Sequence, residues 1–484
     1  MSRQTLRLRI TNIANNTSNR VGLGDAIIMG LSSSGPSQTL AVSLAGLVAV
    51  SGYGGVVPIL ICFVPMIGIA VAYQRLNRWD QSAGATYTWV GKVFHPYMGF
   101  LAGWMILLYY TLGTTTLTIP AGVYTLQLFA PSLVNDHWAI FLLGATWNAL
   151  VTVLAILGLK LVARFEWIIV LFEYAVLLIV AGVAITALAQ GAGAARFSWD
   201  WFSMQGMGGM KGLVGGILIA CFMYSGWDAS IYVNEETTDR ARTPGKAAIV
   251  SVIILALVYS ITTFGFQGVL SKADLQAHAG NALSAISVKL LHKPWDTLMG
   301  LAVLSGTLAT LQAAVVSAAR VGVVMSRDAV MPRFFQWVDT RRHTPWAATL
   351  CMSAINLGLL ALALSTNSIA AALSNAASSL GLISLAFYGL TAAAALWHHR
   401  ASLRTSASAL ILGGVLPLIG VLFALWVLFE SVYTDAVSVT VLAYGLGTLA
   451  LGVVVALFLG HFKKIPFFHS KQVPPRTNER IRPP

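Results

Sequence analysis

Ile28-Met-Gly-Leu-Ser-Ser-Ser-Gly-Pro-Ser-Gln-Thr39 lies inside a run, Ala26 to Gln74, that holds no Asp, Glu, Lys, Arg or His. Such a run has room for two membrane-crossing helices. One crossing needs about 20 apolar residues, because the hydrocarbon core is about 30 Å thick and a helix rises about 1.5 Å per residue. Ser51-Gly-Tyr-Gly-Gly55 divides the pair. Gly35 and Pro36 fall in the middle of the first helix. Pro36 cannot donate to the helical ladder and its ring crowds the preceding turn, while Ser32, Ser33 and Ser34 offer hydroxyls to the freed backbone groups. The stretch reads as a spanning helix with a break in it.

The rest of the chain repeats the pattern. Apolar residues make up 57% and charged residues 10%, against about 25% charged in a soluble globular protein. A chain this long and this poor in charge must face lipid. Further charge-free windows run through Pro96–Asn135, Trp138–Leu159, Tyr174–Ala195, Gly212–Trp227, Ala247–Ser271, Thr297–Ala319, Trp346–Trp397, Thr405–Phe429 and Ala436–Gly460. The Trp346 window holds two helices divided at Ser365-Thr-Asn-Ser368, so the expectation is an all-α polytopic membrane protein with twelve transmembrane helices. The sixth window is short, at 16 residues.

Orientation follows from Lys and Arg, which gather in cytoplasmic segments. With the N-terminus inside, alternating segments place 25 of them in the cytoplasm and 5 outside. The sequence therefore predicts both termini in the cytoplasm and residence in the cell (inner) membrane. The same distribution accounts for the net charge of +13: the basic loops suit anionic lipid headgroups, the bilayer is the partner, and no nucleic acid is called for. Met1 to Arg20 is polar and predicts no removable signal peptide. Cys62, Cys221 and Cys351 lie in apolar windows without CxxC spacing and read as packing residues.

No HExxH, Walker loop or Gly-rich nucleotide fingerprint occurs, and no soluble segment is long enough for a catalytic domain. The expectation is a transporter rather than an enzyme, with no cofactor and no catalytic residue. A second break supports it. Cys221-Phe-Met-Tyr-Ser-Gly-Trp-Asp-Ala-Ser230 puts Gly226 and Asp228 at the end of the short sixth window, which then continues as a broken helix to about Glu235. Breaks in the first and sixth spans point to a five-plus-five inverted repeat. Irregular backbone is tolerated in a membrane only where it lines a cavity or is buried in protein. A half-helix starting near Ser37 offers N–H groups that suit a carboxylate, and half-helices ending near Ser33 and Tyr224 offer carbonyls that suit an ammonium. The plain alternative is a packing kink at each place.

Two acids need explaining, since an Asp at mid-membrane costs about 2.5–3.5 kcal/mol on insertion scales. Asp228 and Glu173 have no Lys or Arg inside the apolar windows to pair with. They read as proton-coupling groups; the alternatives are an internal helix cap for Asp228 and a water-filled vestibule for Glu173. Glu235 and Glu236 lie beside Arg240 and Arg242 and read as gating or structural salt-bridge residues rather than substrate contacts. Tyr109, Tyr110, Phe222, Tyr224 and Trp227 surround the breaks, where aromatic faces can hold an ammonium.

At these residues the chain resembles the amino acid–polyamine–organocation permease superfamily. Ser34-Gly-Pro-Ser37 stands at the first-helix break; Ser82-Ala-Gly-Ala-Thr-Tyr-Thr-Trp89 and Gly99-Phe-Leu-Ala-Gly-Trp104 resemble the passage around the third helix. Tyr224-Ser-Gly-Trp-Asp228 with Glu235-Glu236 and Arg242-Thr-Pro-Gly245 resembles the sixth-helix signature, and Ser317-Ala-Ala-Arg-Val321, Ser326-Arg-Asp328 and Met331-Pro332 the end of the eighth. The resemblance implies a cytoplasmic tail (1–21), a first repeat of helices 1–5 (22–190), a second of helices 6–10 (191–400), two extra helices (401–461) and a cytoplasmic tail (462–484). It implies an amino acid or related amine bound at the breaks by Ser33, Ser34, Gly35, Ser37, Gln38, Tyr110, Phe222, Tyr224, Ser225, Gly226 and Trp227. Transport would be by alternating access and driven by a proton. Exchange for a metabolite, sodium coupling through Ser305 and Thr307 (the one metal-ion option), and a non-transporting substrate sensor remain alternatives.

Overall fold

The computed structural model of the chain describes residues 21–469 apart from 158, 279–280, 340–343, 365–368 and 435–437. The polar N-terminal stretch, the Ser365–Ser368 divider and the basic tail beyond His469 lie outside the described residues. Among the described residues the regular structure is helical apart from one isolated bridge, Val21 to Thr237.

The opening span is two helices, α1 (Leu23–Ser34) and α2 (Pro36–Ser51), meeting at Gly35 with φ +43°. Glycine tolerates that left-handed turn without a Cβ penalty, and Pro36 sits at the first position of α2, where its missing N–H costs least. Then come α3 (Val56–Trp79), a short α4 (Thr86–Val93), α5 (Pro96–Phe129), α6 (His137–Leu157) and α7 (Leu159–Ala189). The next span is also in two pieces, α8 (Gly209–Tyr224) and α9 (Ala229–Tyr232), joined by Ser225–Asp228, with Gly226 at φ +106°. The chain continues through α10 (Thr243–Phe266), two short helices α11 (Lys272–Ala277) and α12 (Ala282–Leu291), and then α13 (Trp295–Arg327). It closes with α14 (Trp346–Leu364), α15 (Ile369–His399), α16 (Ala407–Tyr433) and α17 (Val439–Leu457).

Eleven described helices are long and apolar enough to cross a membrane. The first span falls outside that count because its break leaves pieces of 12 and 16 residues. The chain is thus a multi-pass membrane protein. Burial separates inner from outer helices. The Gly209–Tyr232 window is 100% buried, whereas that of the last span is 24% buried, with Leu451, Val454 and Phe458 exposed. The interrupted helices lie in the core, and the later helices present apolar side chains outward, as lipid contact requires.

Proline breaks in the core have identifiable remedies. A proline at position i leaves the carbonyl of residue i−4 without its ladder donor. For Pro36 that carbonyl is Ser32 O, and Thr310 Oγ1 of α13 donates to it at 2.7 Å. For Pro120, inside α5, it is Thr116 O, and Gln38 Nε2 donates to it at 3.2 Å. The broken first span is therefore stitched to α13 by one proline and to α5 by the other.

Candidate substrate site at the two helix breaks

The two breaks touch. A Cβ on Gly226 would lie 2.7 Å from Ser33 O and 3.0 Å from Ser34 N, so the sixth-span turn rests on the end of α1. Between them is a cavity lined by Ser33, Ser34, Gln38 and Thr39 from the first span, Tyr109, Tyr110 and Thr116 from α5, Phe222 and Ser225 from the sixth span, and Thr310 from α13. Ser33, Ser34, Gln38, Tyr110, Phe222 and Ser225, which the sequence singles out, are brought together here. Gly35 and Ser37 adjoin them in the break itself. Tyr224 turns away and donates to Ile59 O at 3.1 Å. Trp227 stacks on Tyr388, centroids 5.2 Å apart.

The carbonyl ends are largely occupied. Ser34 O accepts from Thr39 Oγ1 at 2.6 Å and Tyr259 OH at 3.2 Å, and Cys221 O accepts from Ser225 Oγ at 2.6 Å. The Ser33 hydroxyl, in contrast, is buried on the cavity wall without a hydrogen-bond partner among the described residues.

Each acid meets one break. Glu173, on α7 and 1% exposed, accepts from Ser37 N at 2.7 Å and Ser37 Oγ at 2.8 Å. Its carboxylate therefore sits at the start of α2, where the half-helix exposes its N–H groups. Asp228, also 1% exposed, lies in the sixth-span turn. It accepts from Tyr232 OH at 2.8 Å, Tyr388 OH at 2.9 Å and Tyr110 OH at 3.4 Å. The ion pairs of the described residues do not include either acid. Hydrogen bonds to a charged group contribute about 1.5–3 kcal/mol each, so two or three of them offset an intramembrane cost of about 2.5–3.5 kcal/mol. Both carboxylates can thus be held without a cation from the protein.

Tyr232 and Tyr388 were not among the residues picked from sequence. Tyr232 carried a usable signal: it stands four residues after Asp228, one helical turn, the spacing at which side chains meet. Tyr388 carried none, being one aromatic in a long apolar helix.

The gating pair is placed differently from the sequence reading. Glu236 pairs with Arg320 at 2.7 Å and Glu235 approaches Arg327 at 3.9 Å, not Arg240 or Arg242. The reason is local: the backbone N–H of Arg242 is taken by Asp239 Oδ1 and the Arg240 carbonyl by Asn77, which turn that loop away. The charged end of α13 supplies the partners instead. Val21 is stitched to the same loop, its N–H donating to Glu236 O at 3.1 Å. Ser305 and Thr307 donate to Ala302 O and Val303 O of their own helix; the α13 hydroxyl that meets the first break is that of Thr310.

A helical membrane core whose two interrupted spans border one small cavity, of about 30 Å³, defines a multi-pass protein with irregular backbone buried at its centre. The family model for amino acid permeases matches residues 22–456. The low-affinity putrescine importer PlaP of Escherichia coli K12 is 27% identical over 297 residues, covering 61% of this chain and 64% of that protein. The human cystine/glutamate transporter is 22% identical over 301 residues (62% and 59%), and the human large neutral amino acids transporter small subunit 2 is 23% identical over 315 (63% and 57%). These matches span under two thirds of each relative's length. The chain belongs to the amino acid permease family, within the superfamily that its motifs resemble.

Proposed function

We propose that the protein is a secondary active permease that imports an amino acid or related amine by alternating access, coupled to protons. The observation that carries this reading is the contact of the two breaks across one polar cavity, with a buried acid at each. In this reading α1 and α2 together make the first of twelve passes. Helices 1–5 and 6–10 form the inverted repeat, both termini lie in the cytoplasm, and the membrane is the cell (inner) membrane. The relatives named as importers and transporters support the same class.

Substrate binds against Ser33, Ser34, Gln38, Tyr110, Phe222 and Ser225, with Gly35, Ser37 and Gly226 shaping the backbone around it and Tyr224 and Trp227 packing behind. Asp228 is the titrating group. Its donors are phenols, whose hydroxyls can accept as well as donate, so the acid can gain a proton and keep its partners. Glu173 bonds a backbone N–H, which can only donate, and it positions α2. Glu235 and Glu236, paired to α13, close the cytoplasmic side, and separation of those pairs accompanies opening. The exposed Glu235–Arg327 pair costs little to separate, since such pairs contribute about 0–1 kcal/mol.

Reconstituted protein tests the coupling. Uptake into proteoliposomes is expected to accumulate solute under an imposed inward pH gradient, with or without sodium. Uptake indifferent to the pH gradient but dependent on sodium would transfer the coupling to a sodium site, and counterflow without net uptake would make the protein an exchanger.

A further inference from the structure

We propose that the neighbouring ends of α3, α15 and α16 form a binding site for the phosphate of an anionic phospholipid, apart from the cavity at the helix breaks. Arg75, in the last turns of α3, is its centre. The side chain is half-buried, and its Nε is shut off from solvent without a hydrogen-bond partner among the described residues. A guanidinium withdrawn from water without a partner is costly, so the position calls for an anion. Arg78, exposed, follows within the same turn. Trp79, one turn beyond Arg75 and on the same helix face, stacks on His398 of α15 with ring centroids 4.1 Å apart. That stack brings the basic end of α15 alongside: Arg75 interacts electrostatically with His399, and Arg400 with His398. Arg400 is itself held in place, its Cζ 4.4 Å from the Trp397 ring centroid and its Nη1 donating to Trp397 O at 2.6 Å. The third wall is α16. Its Ile411–Val415 stretch is a π-helical turn, and a Cβ on Gly413 would lie 3.1 Å from Arg75 Cζ and 3.2 Å from Nη2. Glycine there lets the guanidinium lie against helix backbone, in a turn type found mostly at functional sites.

The ion pairs of the described residues leave Arg75, Arg78 and Arg400 out. Asp80, at the end of α3, is taken by Lys92, and Asp239 accepts from the backbone N–H of Arg242. α10 and α15, both packed along α3, contain no Asp or Glu, and the one acid of α16, Glu430, lies at its far end. The counter-charge therefore comes from outside the chain. The surroundings are those of a lipid headgroup. Leu410, Ile411, Leu412 and Val415 stand exposed around Gly413, on a span whose membrane window is only 33% buried, and Trp397 is exposed beside Arg400. Apolar side chains next to a cation on a peripheral span meet acyl chains and phosphate together, whereas a free phosphate would use the cation alone. A guanidinium grips phosphate oxygens through paired N–H groups, and basic recesses between spans take anionic headgroups.

Native mass spectrometry of the purified full chain, titrated with phosphatidylglycerol or with phosphatidylcholine of the same acyl chains, tests this. The first phosphatidylglycerol should bind at least about fivefold more tightly than phosphatidylcholine, the effect of roughly one basic residue beside an anionic headgroup. Arg75→Gln should erase that preference, and Arg75→Lys, which keeps the charge, should retain part of it; a purely structural role would not separate the two. Arg333→Gln, a basic residue outside the cluster, should leave the preference unchanged. Should Arg75→Gln fail to fold, the exposed Arg400→Gln takes its place and should narrow the preference. Inorganic phosphate at millimolar concentration should not displace phosphatidylglycerol. Equal binding of the two lipids would overturn the proposal, as would a preference that survives both Arg75→Gln and Arg400→Gln. Displacement by inorganic phosphate would make this a site for a soluble anion and overturn the lipid assignment.

Discussion

The breaks at Gly35 and Gly226 each interrupt a buried span, yet their chemistry is opposite. At the first, the helix restarts at once, Pro36 following Gly35, and the exposed start of α2 is met by an acid from another helix, Glu173. At the second, four residues separate the pieces, and the acid, Asp228, belongs to the break itself and is met by phenols from three elements. One break is a fixed joint: backbone N–H to carboxylate, backed by Gly306. The other is an adjustable one, its partners phenol hydroxyls that can accept as well as donate. On the function proposed above, the two interruptions divide the work, one shaping the recess and the other changing charge.

That contrast can be broken most severely at the glycines. Gly226→Ala adds a Cβ at φ +106° and 2.7 Å from the Ser33 carbonyl, both backbone obstacles. A residue held in a sparsely allowed conformation costs about 1–3 kcal/mol before any clash. We expect loss of transport and a lower apparent melting temperature in a thermal-shift assay. Gly35→Ala, at φ +43°, meets the Thr310 side chain rather than backbone, so its defect should be smaller; Thr310→Ala in the double variant should ease the clash without restoring the donor to Ser32 O. Equal loss at both glycines, without rescue, would erase the distinction between the joints.

The acids come next. Asp228→Asn should abolish pH-driven accumulation while leaving counterflow, because the binding recess persists without its titrating group. Glu173→Gln should impair both counterflow and accumulation, since it loosens α2. The same loss in both variants would argue against separate roles. Below these, Tyr388→Phe removes a 2.9 Å donor to Asp228 and Tyr110→Phe a 3.4 Å one. A hydrogen bond to a charged group contributes about 1.5–3 kcal/mol, so Tyr388→Phe should shift the pH profile of uptake visibly and Tyr110→Phe less. Loss of a donor to the carboxylate favours its protonated form, so the profile should move toward higher pH. The smallest effect belongs to the charged end. Arg327→Gln removes the exposed ion pair with Glu235 and should change stability by under about 1 kcal/mol, measurable as a changed salt dependence of uptake rate.

The sequence made the spans legible because lipid forbids charge over about 20 residues, and charge-free windows are easily read. Gly35-Pro36 marked its break for a similar reason, as an anomaly in an otherwise regular run. Helix counting by length alone misses that first span, since its break leaves neither piece long enough, whereas the window from Ala26 does not. Partners across the fold were illegible. Glu173 and Ser37 stand 136 residues apart and Tyr388 and Asp228 stand 160 apart; no local spacing encodes either bond. Glu235 and Glu236 show how proximity in sequence misleads. Arg240 and Arg242 were near in the chain, but the turn at Asp239 pointed that loop elsewhere, and the last turns of α13 supplied the cations.

The most direct test of the division between the joints compares two readouts on Asp228→Asn in proteoliposomes, using whichever amine the wild type transports. Solute exchange across the membrane should continue while accumulation under an inward pH gradient disappears. Accumulation at the wild-type level would contradict the role proposed for Asp228, because the charge-changing group would then lie elsewhere.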